Sequence, residues 1–178
     1  MICKSYLIEE NINLLKNNTI LFYGENVGLI NDFKNKIKKH HKSYTILNFT
    51  QDEVLKNENL ILSEIENTSL FGDKKIIFVL ETTEKIYKFS ENISIENTDN
   101  KIIFFANELE KKSKLRNLFE KNKELIIVPT YKDTPLGLFE ITKKFFNNYK
   151  ISVSQEAINL LVGRCNGDRG HLKSELDK

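Results

Sequence analysis

Thr19-Ile20-Leu21-Phe22-Tyr23-Gly24-Glu25-Asn26-Val27-Gly28-Leu29-Ile30 is the stretch that decides the fold. Its first five residues form a β-branched and aromatic run bounded by Asn17-Asn18 and Gly24, the pattern of a buried strand. From Glu25 to Lys39 the apolar positions Val27, Ile30, Phe33 and Ile37 recur at helical spacing, so strand, tight turn and helix follow in order. Outward from this start, short apolar runs alternate with helical segments. Tyr44 to Phe49 reads as a second strand, Leu60 to Ser69 as a helix, and Lys75 to Leu80 as a third strand. Lys101 to Ala106 makes a fourth strand, Lys112 to Lys121 a helix and Leu125 to Val128 a fifth strand. The alternation predicts an α/β fold with a five-stranded, mostly parallel sheet covered on both faces.

After Pro129 strand patterns cease. Leu136 to Asn148 carries Leu138, Ile141, Phe145 and Phe146 at helical spacing, and Ala157, Leu160 and Leu161 suit another helix, capped by Ser152 or Ser154. Asn166-Gly167-Asp168 reads as a turn, and a further helix with Leu172 and Leu176 begins at Arg169 and stops in mid-pattern, so the chain is expected to be truncated there. No internal repeat or low-complexity segment interrupts this order.

The 178 residues allow one core of ordinary size and a small second unit. Hydrophobic content of 40% and charged content of 29% are those of a soluble globular chain. A net charge of +2 is too small to demand a nucleic-acid partner, so any DNA contact is secondary. The longest apolar runs fall far short of the roughly 20 residues that span a bilayer, and the first residues offer no apolar signal core, which predicts a cytoplasmic protein. Cys3 and Cys165 lie far apart without a CxxC or a His at ligand spacing, so both read as reduced thiols and no metal is expected.

The turn containing Gly24, Glu25, Asn26 and Gly28 occupies the place of a nucleotide-binding P-loop. A working loop needs G-x-x-x-x-G-K-[ST], because the Lys reaches the terminal phosphates and the hydroxyl holds magnesium. Here the loop is short, Leu29-Ile30 follow the second Gly, and Glu25 repels phosphate, so the turn reads as a strand-to-helix connection. Leu80-Glu81-Thr82 follows the third strand where an ATPase usually places a magnesium-binding Asp. His40 and His41 end the first helix, where cations suit the dipole, and His171 stands four residues before Glu175 as a surface pair. Lys111-Lys112-Ser113-Lys114 with Arg116 reads as the densest basic cluster: a candidate DNA-backbone contact, with a solvated charged face as the alternative.

Ser69-Leu70-Phe71-Gly72 holds a large apolar pair. On a helical wheel of about 100° per residue, Ile61 and Leu62 fall about 40° and 60° to either side of Ile65, forming a core face. Leu70 lies about 140° from Ile65 and Phe71 about 120° in the other sense, so both leave that face if the helix continues to Gly72. An exposed pair would be a docking site. If the helix ends at Thr68, the pair belongs to the connection and one of the two packs inward.

Taken in order, these stretches resemble the delta subunit of the bacterial DNA polymerase III clamp loader. Ile20-Leu21-Phe22-Tyr23-Gly24-Glu25 with Leu29-Ile30 is similar to that family's opening strand and non-functional P-loop turn, and Ser69-Leu70-Phe71-Gly72-Asp73-Lys74-Lys75-Ile76-Ile77 to its most telling segment. Lys101 to Phe105 with Lys112-Ser113-Lys114-Leu115, and Ile151-Ser152 through Ala157-Ile158, Gly167-Asp168 and Leu172 to Leu176, resemble its fourth strand and the helices of its second domain. The resemblance implies a RecA-like AAA+ module without a functional P-loop over residues 1–132 and an incomplete helical lid over 133–178, with the family's collar missing.

It further implies no catalysis and no cofactor, in an accessory subunit of a DNA-directed DNA polymerase (nucleotidyltransferase) holoenzyme that serves DNA replication. The implied partner is the beta sliding clamp, bound through Leu70, Phe71 and Ser69 and favoured in an opened form. Delta-prime and the ATPase subunits would be reached mainly through the collar, and primed DNA indirectly. No Ser-Arg-Cys motif follows the fourth strand, unlike the ATP-binding and delta-prime relatives. Two rivals remain at this point: a degenerate P-loop nucleotide-binding enzyme, and a DNA-binding module centred on Lys111 to Arg116.

Overall fold

The computed structural model describes residues 1–66, 74–93 and 99–178. Five strands, β1 (Thr19–Tyr23), β2 (Tyr44–Thr50), β3 (Lys74–Thr82), β4 (Lys101–Ala106) and β5 (Leu125–Pro129), form a sheet in the order β2-β3-β4-β1-β5. Every pairing is parallel. All five β1 residues are buried because the strand is flanked by β4 and β5 and covered on both faces, which is why Ile20 to Tyr23 is an unbroken apolar and aromatic run. The edge strand β2 is only partly buried and reads less clearly.

Helix α1 (Ser5–Glu10) precedes β1, and between the strands lie α2 (Val27–His40), α3 (Gln51–Lys56), α4 (Glu58–Glu66), α5 (Tyr87–Asn92) and α6 (Lys114–Lys121). Alternate side chains of a strand face opposite sides. On one side Leu21, Ile77, Val79, Ile102, Phe104 and Ile127 pack with Val54, Ile61, Ile65, Phe89, Leu115 and Phe119 from the helices α3 to α6. On the other, Phe22 meets Phe33 of α2 at 4.9 Å and Phe105 at 5.5 Å between ring centres, and Phe105 meets Phe78 at 5.1 Å. Ile61 and Ile65 are fully buried and Leu62 packs beside them, so the face anticipated for this helix is its core face.

α6 starts later than its sequence pattern, at Lys114, because the Ser113 hydroxyl caps it by accepting from the Arg116 N–H at 3.1 Å. Short helices α1, α3 and α5 were not anticipated. Each has six residues, less than two turns, too few for a periodic stripe.

Three further helices, α7 (Pro135–Tyr149), α8 (Gln155–Cys165) and α9 (Arg169–Leu176), enclose their own core of Leu138, Ile158, Val162, Cys165 and Leu172. Ser154, not Ser152, caps α8 through the Ala157 N–H. The buried face of α8 is Ile158, Val162 and Cys165, whereas Ala157 is exposed and Leu160 is 61% exposed, a correction of the face expected from sequence. Cys3 and Cys165 are buried free thiols whose pKa values burial pushes up. By contact the chain divides into two units, Met1–Gly24 with Phe33–Pro129, and Glu25–Asp32 with Thr130–Lys178. No helix among the described residues is long and apolar enough to cross a membrane.

Candidate functional site

The glycine turn closes β1. Gly24 has φ 141°, a conformation that suits a residue without Cβ, and its N–H donates to the Asn107 carbonyl at 3.3 Å. Asn26, 4% exposed, then acts as a cap at the start of α2, its Oδ1 accepting from the Leu29 N–H at 2.9 Å. The Asn26 Nδ2 donates to the Tyr131 carbonyl at 3.0 Å and to Asp133 Oδ2 at 2.8 Å, while its backbone N–H donates to the Thr130 carbonyl at 3.1 Å. Glu25 is exposed and pairs with Lys132 at 3.2 Å.

Gly28 and Asp32, one helical turn apart, line the side of α2 that meets α9. A Cβ built on Gly28 would stand 2.6 Å from the Gly170 nitrogen and 3.0 Å from Arg169 Cβ, so the two backbones touch. Arg169, 4% exposed, donates to Asp133 in a bidentate fork, Nε to Oδ2 at 2.8 Å and Nη2 to Oδ1 at 2.5 Å. Its Nη1 donates to Asp32 at 3.3 Å, and Lys173, one turn along α9, donates to the same carboxylate.

A nucleotide polyphosphate with magnesium does not fit these residues. Leu29-Ile30 rather than Lys and a hydroxyl residue follow Gly28, a helix start that could receive phosphate is capped by Asn26, and the nearby cation, Arg169, is already held by the Asp133 carboxylate that Asn26 also meets. At the end of β3, Glu81 is exposed with φ 56° and Thr82 is buried with its hydroxyl donating to the Val79 carbonyl at 3.1 Å. Among the described residues no group of three His, Cys, Asp or Glu could hold a metal ion.

The basic cluster at α6 is partly engaged. The Glu84 carboxylate accepts from the Ser113 hydroxyl at 2.5 Å and from the Lys114 N–H at 2.6 Å, so an anion from the protein already sits at the start of this helix. Arg116 pairs with Glu120 at 2.7 Å, donates to the Leu109 carbonyl and lies 5.1 Å from the Tyr23 ring centre. Lys112 pairs with Glu110 at 3.0 Å, leaving Lys111 and Lys114 exposed without a carboxylate partner among the described residues. A groove of about 470 Å³ beside them is lined by Thr82, Thr83, Glu84, Leu109, Ser113 and Lys114 among others, and its charge is mixed.

A second, longer basic run without acidic residues lies elsewhere in the chain. Residues 33–51 hold Lys34, Lys36, Lys38, Lys39 and Lys42 with His40 and His41 and no acidic residue, leaving 22 basic against 25 acidic residues in the rest of the chain. Among the described residues no carboxylate pairs with Lys34, Lys38, Lys39 or Lys42. Burial, then the neighbouring Lys38 charge, pushes the Lys34 pKa down; burial, then His40 and Lys101, does the same to His41.

Ser69, Leu70 and Phe71 lie outside the described residues, and so does the wheel argument made for them. The elements on either side are firmly tied. Asn100, 2% exposed, donates from Nδ2 to the Ile65 carbonyl at the end of α4 and accepts on Oδ1 from the Lys75 N–H at the start of β3, both at 2.8 Å. Lys75 also pairs with Glu64 at 2.6 Å. Asn100 carried no signal in the sequence, because its two partners are 35 and 25 residues away.

A parallel sheet in this order, helices on both faces, a glycine turn without phosphate-binding chemistry and a separate helical unit define an AAA+-type α/β module. Solved structures share that fold. The Bacillus subtilis DNA clamp loader delta protein superposes with a TM-score of 0.63 at 11% identity, covering 97% of this chain and 56% of that one. Domain III of the Thermotoga maritima replication initiation protein DnaA gives 0.53 at 10% identity, covering 98% of this chain and 79% of that one. The Thermotoga maritima RuvB Holliday junction branch migration motor gives 0.58 at 16%, covering 97% and 58%. The family model described as DNA polymerase III, delta subunit, matches residues 20–128, well over half of the sequence, and the chain belongs to that family. No curated protein matches the sequence. The chain spans little more than half the length of the delta protein it resembles in structure.

Proposed function

We propose that this chain binds a beta-type sliding clamp through Leu70 and Phe71, with Ser69 beside them, and helps to open the ring for loading on primed DNA. The observation that carries the reading is the family match, because residues 69–71 fall inside the matched range and keep the Ser-Leu-Phe-Gly order quoted above. The Asn100 bridge supports it by fixing the ends of α4 and β3 that flank this segment. In this reading residues 1–132 are the AAA+ module and 133–178 the lid, and contacts with delta-prime and the ATPase subunits depend mainly on a collar. Clamp opening is differential binding: a subunit that holds the opened ring better than the closed one shifts that equilibrium without covalent chemistry. The test is co-purification with the cognate clamp. The chain is retained on immobilised clamp, and the Leu70→Ala/Phe71→Ala variant is not, while its circular dichroism spectrum is unchanged. Equal retention of the two proteins refutes the reading.

A second, weaker contact is favoured by the charge distribution. We infer that any nucleic-acid backbone reached directly by the chain meets Lys34 to Lys42 rather than Lys111 to Arg116, since Glu84 and Glu120 already occupy cations and helix start at the latter.

A further inference from the structure

Arg169 cannot discard its charge, so burying its guanidinium at the start of α9 demands fixed acceptors. Asp133 supplies both oxygens of a fork, and the same carboxylate accepts from Asn26, the residue that caps α2. An amide at the N-terminus of a helix that follows a parallel strand, converging with a buried bidentate arginine, is the donor set that proteins use to hold a phosphate or other oxyanion. Here the carboxylate of Asp133 fills it, with its side chain only 10% exposed. The contact is continued by Asp32, which receives Arg169 and Lys173, and by the Gly28–Gly170 backbone approach.

We infer that Asp133 is a built-in counter-anion that stands where an exchangeable oxyanion could bind, holding α9 against the first turns of α2 without any ligand. The arrangement makes the closure of these two helices constitutive. Removal of the carboxylate leaves a buried arginine and the Asn26 amide facing a vacated anion site.

The experiment follows thermal unfolding of the whole chain and of its Asp133→Ala and Asp133→Asn variants in inorganic phosphate against chloride of matched ionic strength. Asp133→Ala is expected to melt about 5–10 °C below the parent. Phosphate is expected to recover a substantial part of that loss by binding the folded form, while shifting the parent no more than chloride does. Asp133→Asn keeps the shape without the charge and should fall between the two, also rising in phosphate. If Asp133→Ala fails to fold in chloride, its folding in phosphate supports the inference and the response of Asp133→Asn decides it. Variants that melt with the parent, or that phosphate stabilises no more than chloride does, overturn it.

Discussion

Replacing Gly28 by Ala probes the backbone approach of the first turn of α2 to the start of α9. The added methyl would lie 2.6 Å from the Gly170 nitrogen and 3.0 Å from both the carbonyl carbon and Cβ of Arg169, so the start of α9 must retreat by roughly 0.8 Å to reach ordinary contact. The retreat stretches the Arg169–Asp133 fork and the Lys173–Asp32 contact together. Overpacking of this kind costs about 1–3 kcal/mol, and the better helix propensity of Ala returns at most about 1 kcal/mol. The net loss is therefore about 1 kcal/mol and at most about 2 kcal/mol, or a fall of up to about 8 °C in Tm for a chain of this size.

Gly163 is the internal control. It lies within α8, and a Cβ there meets nothing within 4 Å, so Gly163→Ala should gain about 0.5–1 kcal/mol. Urea and thermal unfolding of the two variants, followed by circular dichroism, must give shifts of opposite sign. A Gly28→Ala protein as stable as the parent, or two shifts of the same sign, refutes the close packing of α2 on α9.

Three further outcomes follow from the geometry. Asn100→Ala leaves the Ile65 carbonyl and the Lys75 N–H without their partner and should cost about 2–4 kcal/mol in denaturant unfolding; a loss below about 0.5 kcal/mol contradicts the bridging role. His41, held below its ordinary 6.5 by burial and then by His40 and Lys101, favours the folded state while neutral. Stability is thus fully present above the unfolded value and declines as pH falls from it toward the folded value, and His41→Asn should flatten that decline; an unaltered pH slope in the variant contradicts the assignment. Reversing Lys38, Lys39 and Lys42 to Glu should weaken binding to a single-stranded oligonucleotide at low salt, and reduce its salt slope, more than reversing Lys111, Lys112 and Lys114. Fluorescence anisotropy with the opposite ranking, or no binding by the parent, rules this out.

The sheet was legible because its central strands carry continuous apolar runs. Ile20 to Tyr23 and Ile102 to Ala106 are buried throughout, so burial left an unbroken signature in the chain. α3 was missed although its capping box is written in the sequence as Thr50-x-x-Glu53, where the Thr50 hydroxyl accepts from the Glu53 N–H and the Glu53 carboxylate accepts from the Thr50 N–H at 2.7 Å. The composition of the glycine turn showed what it lacks, but not what fills it. Asn26 meets Asp133 across 107 residues and Arg169 meets Asp133 across 36, and no local pattern encodes such a meeting. Likewise, sequence order gives no sign that Glu25–Asp32 group with the C-terminal helices. Charge density is written in the sequence but its partners are not: Glu84 and Glu120 reach the α6 cluster, while none of the described acids pairs with Lys38, Lys39 or Lys42.

The affinity of the purified chain for its cognate sliding clamp, measured by calorimetric titration beside the Leu70→Ala/Phe71→Ala variant, tests the central claim most directly. Two apolar anchors of this size contribute roughly 1.5–3 kcal/mol each when fully buried on a partner. Saturable binding by the parent and a loss of at least about a hundredfold in the variant, with unfolding midpoints unchanged, is the predicted result. Parent and variant binding with the same Kd would contradict it.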